Sequence, residues 1–510
     1  MTESASEPAV SKRDFLKATA TTLALASLPF TARQGLADDE WDVIVIGGGS
    51  AGLPAAIFAA ERGAKVLIIE GSQRIGGTLD RSSGQLSAAG TSLQKAKGIK
   101  DTPQDHFDDV MRISRNTANP DMVRVAVDNA ADTIEWLISL GWHAMPEHPV
   151  KGLGHEDYLI ARYQWGPEGA MSVYRALEPV ILKLLEEKKV SILMQTQAAE
   201  LMMDSDAAVV GVVAEGPDGK RFNYRSRNVV IASGGSGGDP DMFQELNGAP
   251  LYIRMAYPYN KGGGVKLAQS AGGYIRGQEH YLCNDGGVLL DTNYPSPQLA
   301  AAMTNEEQRK PWEIFVNEHG ERYTKEADPS VDNREHALRR QPGHRYWAIF
   351  DDAILDQAPP FLRGWTTEKI RSGFGKHHMF YKADSLTDLA KWSGVDEAGL
   401  AKSVASYNTA QSSGHDAEFG REHMPLPISK APYYAIQLQG YSILVFGGVA
   451  VDPSYRVIRE DGSSISNLYA AGEVLGKAVY TGSAYVGGMS LTPALTAGRL
   501  LGQKIMDLKT

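Results

Sequence analysis

Gly47-x-Gly49-x-x-Gly52 is the first arrangement along the chain with an evident chemical use. It follows the apolar run 41–46 and opens an alanine-rich stretch that reaches residue 62. Glycines at this spacing permit a tight strand-to-helix turn and let backbone N–H groups, including those of Ser50 and Ala51, approach a pyrophosphate at the positive helix end. Glu70 closes the next apolar run, 65–70, about 20 residues further on, where a carboxylate can accept both hydroxyls of an adenosine ribose. Near the other end, Gly487-Gly488-Met489-Ser490-Leu491-Thr492-Pro493 leads into a helical pattern. Thr492 before Pro493 reads as an N-cap followed by a first helical residue, leaving the N–H groups of Ser490 and Leu491 to face an anionic group.

The first glycines also spell Gly48-x-Ser50-x-Gly52, the strand–turn–helix pattern that exposes a nucleophilic serine in α/β-hydrolases. That reading is the weaker one. The turn comes before other strands have laid down a sheet to present the serine, and a hydrolase has no use for Glu70. Three more glycine clusters lie at strand ends or turns: Gly76-Gly77-Thr78, Ser233-Gly234-Gly235 after the run 229–232, and Gly472-Glu473 after 468–471.

The elements that must position these groups begin with a strand–helix–strand unit over 41–70. Helical periodicity follows at 104–115, 122–140 and 170–188, and strand patterns at 190–194, 207–215 and 228–231. From 281 to 440 glycine thins out and aromatic, proline and charged residues rise, with helical patterns at 386–392 and 397–410. This stretch reads as a second domain inserted between 39–280 and 441–510, and the chain closes on a helix over 493–508. Lys and Arg total 51 against 61 for Asp and Glu, a net charge of −10 with no basic tract, which argues against a nucleic-acid partner. Cys283 is the sole cysteine, so an intrachain disulfide, a cysteine-rich metal site and a CxxCH haem attachment are excluded, and no metal is expected. Residues 1–38 have the layout of an export signal: basic Lys12-Arg13 within Ser-Lys-Arg-Asp-Phe-Leu-Lys, an apolar run over 18–30, then small residues. The string resembles a twin-arginine signal with Lys12 in place of the first arginine, so a periplasmic or otherwise exported protein is expected. No later segment is apolar enough to cross a membrane.

Taken together, 47–52, Glu70, 75–78, 229–235, the turn 262–268, 383–422 and 468–476 resemble the flavoprotein family of soluble fumarate reductases, urocanate reductases and 3-ketosteroid dehydrogenases. The resemblance runs from about residue 42 to the end; Gly263 stands where the family usually has aspartate. It implies an α/β, Rossmann-like FAD-binding domain interrupted by an α+β capping domain. FAD would be held by Gly47, Gly49, Ser50, Ala51, Gly52, Glu70, Gly76, Gly77, Thr78, Ser233, Gly234, Gly472, Glu473, Ser490 and Leu491. Family members with covalent flavin use a histidine soon after the Gly-Gly-Thr turn. Residues 79–84 contain none, so the FAD is expected to be noncovalent.

The resemblance also frames the reaction. In the fumarate reductase branch an arginine precedes the last Gly-Gly; here Tyr485 stands there. The nearest counterpart of the proton-donating arginine is Arg334, and His280 resembles a substrate histidine. With most of the carboxylate grip missing, a dicarboxylate substrate is not expected. The ketosteroid branch surrounds the flavin with tyrosines, which makes Tyr485, Tyr441 and Tyr480 candidates to polarise a ketone or remove the neighbouring proton. A tyrosine base needs a positive environment, which the final helix start would supply. Tyr158, Tyr163 and Trp165 are candidates to line an apolar pocket. The expected activity is dehydrogenation of a cyclic or steroid-like ketone by hydride transfer to flavin N5. The alternative is reduction of an α,β-unsaturated acid or enone, fed by a separate electron carrier.

Overall fold

A computed structural model describes residues 35–152, 154–304 and 308–507. Residues 1–34, which hold the basic and apolar parts of the expected export signal, lie outside the described residues. Among the described residues no helix is long and apolar enough to cross a membrane.

The run 41–46 is apolar without alternation, the signature of a strand buried on both faces. It forms the strand Glu40–Ile46 at the centre of an eight-stranded sheet. Val66–Ile69 and Arg221–Ile231 flank it in parallel, Val190–Leu193 lies beyond the first and Ser464–Ala470 beyond the second. Antiparallel pairing enters the sheet at the edge strand Arg456–Ile458 and through Val209–Glu215, which runs against both Arg221–Ile231 and its hairpin partner Gln197–Met203. The helix Gly52–Glu61 returns the chain from the first strand to the second. Against it lies the final helix, Leu491–Lys504, buried from Leu491 through Gly502. Glycine permits that closeness: a Cβ at Gly502 would stand 2.5 Å from the Ala55 carbonyl oxygen.

The strands between Asn284 and Tyr441 build a separate antiparallel sheet in the order Gln298–Ala301, Asn284–Leu289, Tyr433–Tyr441, Arg345–Asp351, Ile314–Val316, with Phe380–Ala383 also on Tyr433–Tyr441. A buried ionic knot fixes its flank: Arg322 donates to both oxygens of Glu326 at 2.8 Å and to Asp416 at 2.9 Å. The helix Val331–Arg339 rises from this part of the chain.

Three expectations are corrected. The single helix expected over 122–140 is two, Pro120–Asp128 and Ala130–Ser139. Asn129 breaks it: its side chain donates back to the Val125 carbonyl at 2.9 Å, while its own carbonyl accepts from Arg499 at 3.1 Å. The final helix starts at Leu491, before Pro493, and Thr492 does not cap it. Its hydroxyl instead accepts the Ser87 N–H at 2.9 Å, tying the short strand Leu86–Ser87 to the helix start. The strand expected over 228–231 extends back to Arg221, because it gains the hairpin Gln197–Met203/Val209–Glu215 as a neighbour.

Candidate active site

The glycine clusters converge on one cleft at the ends of the parallel strands. Gly47, at φ +103°, has no room for a side chain: a Cβ would stand 2.5 Å from the Ala232 carbonyl oxygen. Gly49 differs, since a Cβ there would meet nothing nearer than Gly77 Cα at 3.9 Å. That open flank of backbone is the approach a pyrophosphate requires. Glu70 is locked at the rim, its two oxygens accepting the N–H groups of Gly48 and Ser72, each at 2.8 Å. Ser50, Ala51, Gly77, Thr78, Ser233, Gly234, Gly472 and Glu473 line the same cleft. Burial pushes the Glu473 carboxyl up to about 7, against the opposing hydrogen bond from Asn260 Nδ2 at 2.8 Å.

Gly52, Gly76, Ser490 and Leu491 are not on the lining. Gly52 works one layer beneath, where a Cβ would overlap the Gly47 carbonyl oxygen. Gly76, at φ +111°, makes the turn that presents Gly77 and Thr78. Ser490 and Leu491 stand at the start of the final helix. The segment 257–261 also borders the cleft through Tyr257, Asn260 and Lys261. Sequence reasoning missed it, since these residues form no spaced pattern. Glycine turns, an open backbone flank and a fixed carboxylate fit FAD. Ser50 makes no hydrogen bond to a histidine among the described residues, so the hydrolase arrangement is not assembled.

A second group of side chains gathers around Tyr485. Its hydroxyl donates to Gln85 Oε1 at 2.6 Å and lies 3.2 Å from the Tyr163 hydroxyl. The His155 ring stacks on it, centroids 4.2 Å apart. Its backbone N–H and His155 Nδ1 both meet Asp332 Oδ1 at 3.3 Å. Asp332 shares the helix Val331–Arg339 with Arg334 and Glu335, all three buried. Burial raises the Tyr485 hydroxyl; Tyr163 opposes the shift and the charges of Asp332 and Glu335 add to it. Burial would also raise Asp332, but the hydrogen bond and charge of His155, with Lys477, outweigh it and hold this carboxyl low. Glu335 is pushed well up, by burial first and then by Asp332 and Asp285.

The other candidates surround this group unequally. Arg334 approaches Asp285 at 3.5 Å and donates to the Asp328 carbonyl, while its second terminal nitrogen has no partner among the described residues. His280 Nδ1 lies 3.0 Å from the hydroxyl of Ser483, two residues from Tyr485. Tyr441 ends the strand Tyr433–Tyr441, and burial raises its hydroxyl, with Gln298 opposing and Asp285 and Glu335 adding. Tyr480 is buried with Tyr455 and Arg276 as its electrostatic neighbours, a group apart from Tyr485. Tyr158 is no open pocket wall: it is 2% exposed and donates to the Gly487 carbonyl. Trp165 packs on Tyr163 and His148. Gln85, His155, Glu335 and Lys477 carried no sequence signal, being brought together from segments far apart.

A glycine-walled cleft at the ends of parallel strands, with a carboxylate fixed at its rim, is the arrangement of a dinucleotide-binding fold. The chain belongs to the family described as "FAD binding domain", whose model matches residues 42–491. The chain is 29% identical over 487 residues to a fumarate reductase (cytochrome) of Shewanella frigidimarina, covering 94% of this chain and 78% of that one. It is 27% identical to a urocanate reductase of Eggerthella lenta over 484 residues, covering 92% and 75% of the two chains. Among solved structures, the 3-ketosteroid delta1-dehydrogenase from Sterolibacterium denitrificans superposes with a TM-score of 0.70 at 21% identity, over 92% of this chain and 99% of that one. The protein is an FAD-dependent oxidoreductase with the expected α/β architecture.

Proposed function

We propose that this enzyme reduces a carbon–carbon double bond conjugated to a carbonyl, with Tyr485 as the proton donor. The carrying observation is the setting of the Tyr485 hydroxyl, which is buried, donates to Gln85 Oε1 at 2.6 Å and lies 3.2 Å from the Tyr163 hydroxyl. Burial raises it further above the ordinary tyrosine range, which keeps it a phenol. A neutral phenol can polarise a carbonyl or deliver a proton; it is a poor base. This shifts the preference from the dehydrogenation expected from sequence to the reductive direction. The identity to a fumarate reductase and a urocanate reductase is in keeping with it.

FAD, bound noncovalently in this reading, supplies hydride transfer at its N5 when reduced. The chain's own residues then do three things. The start of the final helix, fixed to Ser87 through Thr492, presents a positive end toward the bound group. Gln85 and Tyr163 orient the Tyr485 hydroxyl. Tyr485 passes its proton to the carbon next to the carbonyl while the other carbon of the double bond takes the hydride. The segment 281–440 serves as the cap that brings Arg334, Asp332 and Glu335 over this site. Electrons arrive from a separate carrier, and residues 1–38 direct export.

A second reading keeps dehydrogenation of a cyclic ketone. Asp332, held ionised beside the His155 ring that stacks on Tyr485, is the base it requires. Anaerobic spectroscopy separates the two. Dithionite-reduced enzyme mixed with enones or unsaturated acids should turn yellow again. Bleaching of oxidised enzyme by a saturated ketone, with no reoxidation by any enone, would favour the second reading. Neither response from a flavin-loaded protein would remove both.

A further inference from the structure

Asp332 Oδ1 joins two residues that are far apart in the chain. It accepts the backbone N–H of Tyr485 at 3.3 Å and faces Nδ1 of His155 at the same distance. Asp332 is held ionised, and a carboxylate oxygen can only accept, so the proton between it and the imidazole sits on Nδ1. One buried oxygen thereby ties the His155 side chain to the main chain of Tyr485, and the two rings stack at 28°, centroids 4.2 Å apart. The tie comes from a third segment, the helix Val331–Arg339. His155 keeps 21% of its side chain exposed, whereas Asp332 keeps 2%. The imidazole can therefore exchange protons with water while the carboxylate that orients it stays buried.

With Nδ1 engaged, the proton that changes the charge of the ring comes and goes at Nε2. That charge matters to the phenol stacked against it. Burial, Asp332 and Glu335 all oppose ionisation of Tyr485, so its hydroxyl stays protonated but is a reluctant donor. A cation on the face of the ring acts the other way, because the ring becomes more electron-rich as the proton leaves. Lys477, its ammonium 5.1 Å from the ring centroid, is one such cation. Histidine is a conditional one, the side chain whose charge ordinarily changes between about pH 5 and 8. The other titratable groups here have their own partners. Glu156, next in the chain, pairs with Arg112, and Tyr163 meets the Tyr485 hydroxyl. His336, on the same helix as Asp332, is governed by burial and Arg115 ahead of Asp332.

We infer that His155 is a positioning residue for the proton donor: clamped by Asp332 against the Tyr485 ring, it holds the phenol in place and, once protonated at Nε2, strengthens it as an acid. The inference rests on the reaction proposed above. In that reaction the O–H bond of Tyr485 breaks as a C–H bond forms at the carbon next to the carbonyl, and the phenolate left behind carries one negative charge. An imidazolium stacked on its ring stabilises that charge; a neutral imidazole does not. His155 acts through Tyr485 and passes no proton to the substrate itself. Enone reduction therefore quickens as pH falls through the His155 titration.

The test follows reoxidation of the dithionite-reduced holoenzyme by an enone across the pH range in which histidine titrates. The rate should rise toward low pH in the unmodified enzyme. His155→Phe keeps a ring on the stack and removes the charge. It should flatten that rise, costing about two- to thirty-fold at the acid end, the range of a cation on an aromatic face, with little change at the alkaline end. Asp332→Asn keeps an acceptor but no longer favours the imidazolium, so the rise should move to lower pH. In a Tyr485→Phe background His155→Phe should have no further effect, since the two act through one contact. A rise that survives in His155→Phe belongs to Glu335 or His336 and overturns the inference. So does a loss that is equal at every pH, or one that adds to that of Tyr485→Phe. A second readout needs no turnover. With tyrosine labelled at Cζ for NMR, the Tyr485 signal, identified by its absence from Tyr485→Phe, should move between about pH 5 and 8 in the oxidised holoenzyme and stay still in His155→Phe. A signal that stays still in the unmodified enzyme overturns the inference whether or not the variants fold. The two proposals fail separately: enone reduction with a still signal loses only the clamp, and a His155-dependent signal in an enzyme that reduces no enone loses only the reaction.

Discussion

The cofactor cleft and the Tyr485 cluster lie in the same molecule but are built in opposite ways. The cleft is made of backbone. Gly47, Gly49, Gly77 and Gly472 contribute by what they lack, and Glu70 is the one side chain aimed at a ligand and fixed by two main-chain donors. The cluster is made of side chains from four separated segments: Gln85, His155 with Tyr163, the helix Val331–Arg339, and Lys477 with Tyr485. Backbone turns at strand ends tolerate few alternatives, so they fix the shape of the cleft. Side chains on separate segments can be exchanged one at a time, so they are where one fold takes on different reactions.

The sharpest way to break this contrast is at Gly52. A Cβ there would overlap the Gly47 carbonyl oxygen, so Gly52→Val should abolish FAD retention, and most of the folded yield with it. A yellow, stable Gly52→Val protein would mean that the turn is far more adaptable than a backbone-built site allows. Tyr485→Phe tests the opposite half. It removes one hydroxyl from a side-chain cluster and should slow reoxidation of the reduced enzyme by an enone about 100- to 10,000-fold, the ordinary loss for a general acid, with FAD content unchanged. An unchanged rate would remove Tyr485 from the reaction. Glu70→Gln is smaller. It keeps one acceptor and loses the charge, so FAD affinity in a fluorescence titration should fall about ten-fold, on the order of one charge-assisted hydrogen bond. No change would mean that Glu70 serves only to hold Gly48 and Ser72.

The same contrast explains what could be read from the sequence. The spacing of Gly47, Gly49, Gly52 and Glu70 is short-range, and each position admits one residue type for a steric or electrostatic reason, so cofactor and central sheet were legible together. Tyr485 was legible because it sits beside a glycine motif. Tyr441 and Tyr480 were singled out by the same proximity in sequence, yet Tyr480 faces Tyr455 and Arg276. His155, Glu335 and Lys477 had no local signal, since what makes them notable is their mutual distance in the fold. The remote bonds of Asn129, whose carbonyl accepts from Arg499, and of Thr492, whose hydroxyl accepts the Ser87 N–H, likewise lay beyond local capping rules.

Glu473 offers the finest probe, because it is a titratable side chain inside the backbone-built region. Burial raises its folded-state value to about 7 from an ordinary 4.5. The sign follows from which state holds the proton more tightly. Between about 4.5 and 7 the folded, FAD-free protein keeps Glu473 protonated while the unfolded chain has released that proton. Folding then takes up a proton, so the stabilisation present below the unfolded value is lost as pH rises through the folded one. Glu473→Gln deletes this dependence. The melting temperature of FAD-stripped protein should fall from pH 5 to pH 7.5 more steeply in the unmodified protein than in the variant. At the higher pH the variant should melt roughly 1–4 °C later, the range that one to a few kcal/mol gives a protein of this size. Parallel curves would show that Glu473 is as well solvated as an exposed carboxylate. The cleft would then be a wetter place than its glycine walls and the buried contact with Asn260 require.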